Sequence, residues 1–319
     1  MQAAIYDQPG DPSVFYLADV PDPVPAADEL LIRVEAISIE GGDIVGRQRT
    51  ARTGPADVLG YAAAGEIIQL GSAVRGFTVG QKVTTFSFTG SHATLRAAPA
   101  ATCWLIPDGL DINTAVAVPA GAGTAALTLQ LGALQRGQTV LVLGAAGGVG
   151  VAVVQLAAQA GARVIGTGTN AATLAQLREY GLADAIDTGA GPVADQVNAL
   201  LDGRNVDLLI DCVGGPALVD GLLALKDGGC AVLVGVFGGA STPIDAGYLL
   251  VHRLTVIGCL LGKIMGDATG YRLVEDVLKL AASGTLRVPI DATFPLAQAP
   301  DAHRRAEERG RIGRVIMVP

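Results

Sequence analysis

The chain has 319 residues, half of them hydrophobic and 16% charged, with a net charge of −8. A single core rarely grows past about 250 to 300 residues, so two domains with well-filled cores are expected. The acidic balance leaves no basic footprint for nucleic acid or an anionic membrane and points to a neutral or anionic small ligand.

In chain order, the first hundred residues are rich in Pro, Gly and alternating patterns such as Leu30-Leu31-Ile32-Arg33-Val34-Glu35-Ala36, and read as strands joined by turns such as Pro21-Asp22-Pro23. From about Thr114 helix and strand alternate: Ala115 to Leu131, Thr139 to Leu143, Val151 to Ala160, Arg163 to Gly166, Ala171 to Tyr180, Asp207 to Cys212, Pro216 to Leu225, Cys230 to Val234 and Leu254 to Leu260. Such alternation predicts an α/β domain with a doubly wound parallel sheet. Thr269 to Ser283 then reads as one amphipathic helix, and Arg314 to Val318 as a strand. Thr139 to Gly161 carries no charge and is long enough for a transmembrane window, but Gly144, Gly147, Gly148 and Gly150 divide it into a strand and a helix, each too short to span. Cys103, Cys212, Cys230 and Cys259 are widely spaced, with no C-x-x-C pair and no export signal, and read as buried thiols of a cytoplasmic protein.

The most informative stretch is Leu143-Gly144-Ala145-Ala146-Gly147-Gly148-Val149-Gly150, where a buried strand feeds a glycine-packed turn that leaves into an uncharged helix. Gly147 lets the backbone approach a pyrophosphate, Gly150 lets the helix pack on the strand, and free N–H groups at the helix start face the anion. Ala145 stands where the G-x-G-x-x-G fingerprint has its first glycine. Ala145, Ala146, Gly147, Gly148, Val149 and Gly150 are therefore the candidate cofactor-binding turn. The following strand ends Ile165-Gly166-Thr167-Gly168-Thr169-Asn170 without the acid that NAD enzymes place there for the ribose 2′-OH, which favours NADPH, with NADH as the alternative. The hydroxyls of Thr167 and Thr169 and the amide of Asn170 are candidate donors to a 2′-phosphate.

Gly137 to Gly150 followed by Gln155, with Gly60 to Gly65, Gly71-Ser72-Ala73-Val74, Phe77 to Val83, Phe294-Pro295-Leu296 and Ala302-His303, resembles the zinc-independent quinone oxidoreductase (zeta-crystallin-like) branch of the medium-chain dehydrogenase/reductases. The resemblance covers the whole chain. It implies a Rossmann-type dinucleotide-binding domain over 114–261 and a GroES-like, mostly β catalytic domain over 1–113 with 262–319. It also implies a homodimer, which the apolar last strand of the nucleotide domain, about Leu254 to Leu260, suits as an open edge.

Matched to the zinc alcohol dehydrogenases of the same superfamily, Ser38 to Asp43, Gly60 to Gly65 and Pro119 to Thr124 put Glu40, Tyr61 and Ala120 at the catalytic metal positions. One carboxylate and a phenol do not make a zinc site, and the structural zinc loop of four close cysteines is absent, so no metal is expected. His92, His252 and His303 are isolated in sequence and read as surface or helix residues. Without a Lewis acid, alcohol oxidation is disfavoured, while hydride delivery to a quinone or another conjugated carbonyl remains feasible. Tyr61 and Glu40 are the candidate catalytic residues: Tyr61 as a donor to an acceptor oxygen, Glu40 as a proton source if buried. The plainer alternative makes Tyr61 a wall and Glu40 a partner of Arg47 or of a backbone N–H.

The resemblance further places Asp43, Thr124, Val236, Phe237, Cys259, Leu260 and Leu261 at the substrate and nicotinamide cleft. The family's phosphate-binding lysine and tyrosine fall on Thr173 and Thr188, with Arg178 as a candidate substitute. Two other functions stay open: an enoyl or alkenal reductase acting on an activated C=C bond, and an NADPH-binding protein with little catalysis.

Overall fold

The computed structural model describes residues 1–54 and 57–319. Along the chain come β1 (Gln2–Ile5), β2 (Tyr16–Asp19), β3 (Glu29–Ser38), helix α1 (Gly41–Arg49), β4 (Ala62–Leu70), β5 (Lys82–Phe86), β6 (Leu95–Pro99), β7 (Cys103–Leu105) and α2 (Ile112–Leu131). Then β8 (Thr139–Leu143), α3 (Gly148–Gln159), β9 (Arg163–Gly168), α4 (Ala171–Gln176), β10 (Asp184–Asp187), α5 (Val193–Leu200), β11 (Val206–Asp211), α6 (Pro216–Leu222), β12 (Leu225–Leu233), α7 (Ala246–His252) and β13 (Thr255–Gly258) alternate strand and helix. The chain closes with α8 (Ala268–Ala282), β14 (Ile290–Pro295), α9 (Ala299–Glu307) and β15 (Arg314–Val318).

These elements fall into two compact units. One takes Met1–Gly123, Leu261–Glu308 and Arg314–Pro319; the other takes Thr124–Leu260 with the short tail segment Arg309–Gly313.

The first unit is built on a seven-stranded sheet in the order β14-β15-β3-β4-β5-β7, with β6 also on β3. The alternation that predicts β3 is only half expressed, because β3 is central: β15, β4 and β6 all pair with it and most of its side chains are buried. The tail returns to this unit, with Ile316 opposite Ser38 and Met317 opposite Ile37. Its core gathers Val34, Ile37, Ile44, Leu296, Val315 and Met317.

The second unit is a six-stranded parallel sheet in the order β10-β9-β8-β11-β12-β13, the order of a doubly wound dinucleotide-binding domain. Its strands are short apolar runs because both faces are covered, and Leu141, Leu143, Ile165, Leu209 and Leu225 fill the core.

Several helical boundaries differ from the sequence reading. The helix expected over Ala171 to Tyr180 is α4 followed by a 3-10 turn at Leu177–Tyr180, closed by Gly181 at φ 100°. Strand β10 and helix α1 carry too little periodic signal to stand out: β10 is four residues at the sheet edge, and α1 opens on two glycines. Among the described residues, one helix is long and apolar enough to cross a membrane by composition, Ile112–Leu131, with 72% of its apolar window buried.

Candidate active site

In the second unit, β8 runs into Gly144, which takes φ +74°, and the chain turns through Ala145 and Ala146 to Gly147, the N-cap of α3. A Cβ on Gly150 would lie 2.4 Å from the Gly144 carbonyl oxygen, so only glycine lets the helix sit this close to the strand. At Gly147 the nearest protein atom to an added Cβ would be 3.5 Å away, and the residue is exposed: the protein itself leaves this face of the turn free. No side chain caps the first turn of α3, so its N–H groups are open to an anion. Gly150 thus has no room for a side chain and Gly147 has, and the open turn with its free N–H groups fits a dinucleotide pyrophosphate.

Thr167 at the end of β9 is buried, and it fastens the turn: its Oγ1 accepts from Gly144 N at 3.3 Å and its carbonyl accepts from Ala145 N at 3.1 Å. Thr169 and Asn170 are exposed, and the Asn170 side-chain oxygen caps α4 by accepting from Thr173 N at 3.0 Å. Thr173 and Thr188, at the family's lysine and tyrosine positions, both donate to backbone, to Gly310 O at 2.7 Å and to Gly168 O at 3.2 Å.

The first of these bonds shows what the sequence reading missed. The segment Arg309–Gly313 packs on this turn: Gly313 N donates to Ala146 O at 3.2 Å, and Arg311 Nη1 donates to Gly313 O at 2.5 Å. Two guanidinium groups, Arg309 and Arg311, therefore sit on the segment that Thr173 holds beside the Asn170 cap. The available signal was the Arg309-Gly310-Arg311-Ile312-Gly313-Arg314 run near the C-terminus.

Val236 and Phe237 are 42% and 57% exposed, because the glycines beside them lie against a second turn. Gly238 N donates to Val213 O at 2.7 Å, and a Cβ on Gly235 would lie 2.0 Å from Cys212 O. Asp211 Oδ1 accepts from Val213 N and Gly214 N at 2.8 and 2.9 Å and fixes that second turn. Leu260 is exposed; Cys259 is buried, which pushes its thiol up to about 11. Thr124 is half-buried in α2. Leu261 is 1% exposed in the first unit, where it packs toward Gly123, so its side chain serves the core.

The first unit brings Glu40, Asp43 and Tyr61 together at the start of α1. Asp43 Oδ2 accepts from the Glu40 backbone N–H at 2.7 Å, and the Tyr61 backbone N–H also acts on this carboxyl. Burial drives the Asp43 carboxyl well above the usual range. The two backbone donors and the Arg96 guanidinium oppose that shift, and the Glu40 charge adds to it. Its second oxygen, Oδ1, has no hydrogen-bond partner among the described residues. Glu40 is buried too: Ser38 Oγ donates to its Oε1 at 2.7 Å and Arg314 Nη1 lies 2.6 Å from its Oε2. The partner is thus Arg314 of the tail and not Arg47, which turns to Gly10 O, His303 and Glu307 instead.

Tyr61 is half-buried beside Phe86 and Phe88, with ring centroids 5.9 and 5.5 Å away. Burial first, and then the Asp43 charge, raise its phenol. No hydrogen bond engages the Tyr61 hydroxyl among the described residues. Ala120 is buried in α2 and supplies no donor. A tied carboxylate, a phenol and an alanine do not fit a zinc ion, and among the described residues no three His, Cys, Asp or Glu side chains converge on a point.

His252 ends α7 and His303 lies in α9, as the sequence reading allows; the burial of His92 and His303 against each other is what it does not signal. His92 and His303 are fully buried and in contact, Nε2 to Nε2 at 2.9 Å; His252 is on the surface with Asp227 and Arg204.

Two family models match, an alcohol dehydrogenase GroES-like domain over residues 26–142 and a zinc-binding dehydrogenase domain over residues 148–282. The quinone oxidoreductase-like protein 2 homolog of Nematostella vectensis is 32% identical, with 82% of this chain and 73% of that protein covered. The acryloyl-coenzyme A reductase of Sulfurisphaera tokodaii is 27% identical, with 98% of each chain covered. The solved structure of mycobacterial Rv1454c, complexed with NADPH, is 28% identical, with a TM-score of 0.92 and all of each chain covered. The chain belongs to the quinone oxidoreductase-like family of medium-chain dehydrogenase/reductases.

Proposed function

We propose that the protein is an NADPH-dependent oxidoreductase that passes hydride to a quinone or another conjugated carbonyl acceptor without a catalytic metal. One observation carries the acceptor class: where a metal would be held, the chain presents a neutralised carboxylate pair, Glu40 with Arg314, beside a phenol, Tyr61, whose hydroxyl is free to donate. NADPH, when bound, supplies the hydride.

The chain's own residues do the rest. The Gly144 to Gly150 turn and the start of α3 receive the pyrophosphate. Thr169, Asn170 and the arginines of Arg309–Gly313 take the 2′-phosphate, with no acid at the end of β9 to repel it. Tyr61 donates to the acceptor oxygen as negative charge builds there. Burial of the Asp43 carboxyl disfavours a second negative charge beside it. Val236, Phe237 and Leu260 offer exposed apolar surface for the nicotinamide end. Four free thiols suit a cytoplasmic setting, and the open edge strand β13, with Leu250 and Val251 exposed nearby, supports a homodimer.

A second reading, reduction of an activated C=C bond, is favoured by the full-length similarity to an acryloyl-coenzyme A reductase. NADPH oxidation against 1,4-benzoquinone, 9,10-phenanthrenequinone, an alkenal and a crotonyl thioester separates the two. Quinone turnover supports the first reading and thioester-only turnover the second. NADPH binding without consumption by any acceptor would leave a nucleotide-binding protein.

A further inference from the structure

Phe88 is a large aromatic residue left 40% exposed, and the fold spends a buried guanidinium on holding it. Arg96 of β6 is 1% exposed, and its Nη2 donates to Ser87 Oγ at 2.6 Å and to Thr89 O at 2.8 Å, the residues on either side of Phe88. Its Nε and Nη1 have no partner among the described residues. Burial lowers the guanidinium to about 10, while the neighbouring Cys103 and Asp43 side chains oppose that shift. A buried, half-satisfied arginine weakens a fold relative to an apolar residue of similar size, so stability alone does not explain it.

What Arg96 secures is the geometry of two rings. Phe88 meets Tyr61 edge to face, at 5.5 Å and 87°, and Ser87 N donates to Tyr61 O at 3.0 Å. Glycines back both rings: a Cβ on Gly42 would fall 2.3 Å from the Tyr61 ring, and one on Gly262 would fall 2.3 Å from the Phe88 ring. Each ring is thus pressed on one side against bare backbone and cannot retreat. The result is a rigid right-angled aromatic corner that carries the Tyr61 hydroxyl. Such a corner offers a flat conjugated ring both a face and an edge to pack on, whereas a flexible acyl chain gains only apolar contact.

We infer that the Tyr61–Phe88 corner is a ring-binding subsite that selects planar cyclic acceptors, with Phe88 as its specificity-determining residue and Arg96 as the positioning residue that holds the 87–89 loop. The inference rests on the reading of this site as the acceptor site.

Its test is calorimetric titration of the full-length protein with anthraquinone-2-sulfonate in the absence of nicotinamide cofactor, which makes binding independent of turnover. Phe88→Leu keeps apolar bulk and removes the aromatic face, and is expected to weaken binding about tenfold. Arg96→Met is expected to match that loss and Arg96→Lys, which keeps donors in reach of Ser87 and Thr89, to recover most of it. In both Phe88→Leu and Arg96→Met the kcat/KM ratio of 9,10-phenanthrenequinone to crotonyl thioester should fall, a change that general destabilisation would not produce. Failure of the wild-type protein to bind the probe, or Phe88→Leu affinity within twofold of wild type, overturns the inference even if Arg96→Met does not fold. The same preparations give the quinone turnover separately: turnover with Phe88→Leu affinity unchanged refutes the subsite and spares the proposed activity. Probe binding lost in Phe88→Leu with no quinone turnover does the reverse.

Discussion

His92 and His303 stand 211 residues apart in sequence and meet Nε2 to Nε2 at 2.9 Å inside the first unit. Arg47 Nη1 lies 3.2 Å from His303 Nδ1, and a guanidinium can only donate, so His303 Nδ1 accepts. His303 Nε2 then carries the proton and donates to His92 Nε2, and His92 Nδ1–H donates to Ser91 Oγ at 3.1 Å. Every bond in this chain requires both rings neutral. Burial and then neighbouring charge set the same state: His92 is lowered to about 3 by burial and by Arg96, and His303 well below its usual value by burial, His92 and Arg47.

The pH dependence of stability follows. The folded pKa values lie below the unfolded value of about 6.5, so the contribution is fully present above pH 6.5 and is lost as pH falls toward about 3. Each ring adds at most about 1.4 kcal/mol per pH unit across that window. Urea midpoints measured between pH 7.5 and 4.5 should fall more steeply for wild type than for the His92→Phe, His303→Leu double variant. Equal slopes would count against a pair locked neutral.

Glu40 is tied at both oxygens, so its main contribution is to the fold. Removing one member of a buried pair leaves the other charge unpaired. Arg314→Met should therefore destabilise the protein by about 3 kcal/mol or more in denaturant titration. Glu40→Gln should leave kcat within about threefold once corrected for folded fraction, if a carboxylate bound by Ser38 and Arg314 takes no part in proton transfer. A larger fall in kcat would return Glu40 to the chemistry.

Tyr61→Phe removes the free hydroxyl and keeps the ring corner. If that hydroxyl stabilises the charge developing on the acceptor oxygen, kcat should drop about 100-fold with little change in KM. Steady-state kinetics with a quinone decide this, and unchanged kcat would mean that the acceptor oxygen draws on solvent.

On the nucleotide side, Gly150→Ala places a methyl group 2.4 Å from the Gly144 carbonyl oxygen and should disrupt the turn, with cofactor binding lost by fluorescence titration. The Arg309→Ala, Arg311→Ala double variant is subtler. It should weaken NADPH about tenfold and leave NADH almost unchanged, since only the 2′-phosphate is affected. Equal losses for the two cofactors would place the arginines elsewhere.

The parts of this molecule that are readable from sequence are those whose physics is local. The strand, glycine turn and helix from Thr139 to Gln159 announce themselves because Gly144, at positive φ, and Gly150, against the Gly144 carbonyl, meet demands set within a few residues of themselves. The replacement of metal donors by Glu40, Tyr61 and Ala120 is legible for the same reason, being a matter of side-chain type. What they touch is not legible. Glu40 finds Arg314, Thr173 finds Gly310 and His92 finds His303 only because the tail returns across the fold. A lone histidine in a sequence carries no trace of a partner two hundred residues away. Phe88 and Arg96 were passed over likewise, since a single exposed aromatic and a single buried arginine gain meaning only from the loop between them.

The most direct measurement is the initial rate of NADPH oxidation with 9,10-phenanthrenequinone by protein of known metal content, with and without prior dialysis against 1,10-phenanthroline, alongside NADH at equal concentration. Turnover that survives the chelator unchanged and prefers NADPH is the expected result. A rate that disappears with the chelator and returns with added zinc, or one that favours NADH, would contradict metal-free, NADPH-dependent hydride transfer at the Tyr61 site.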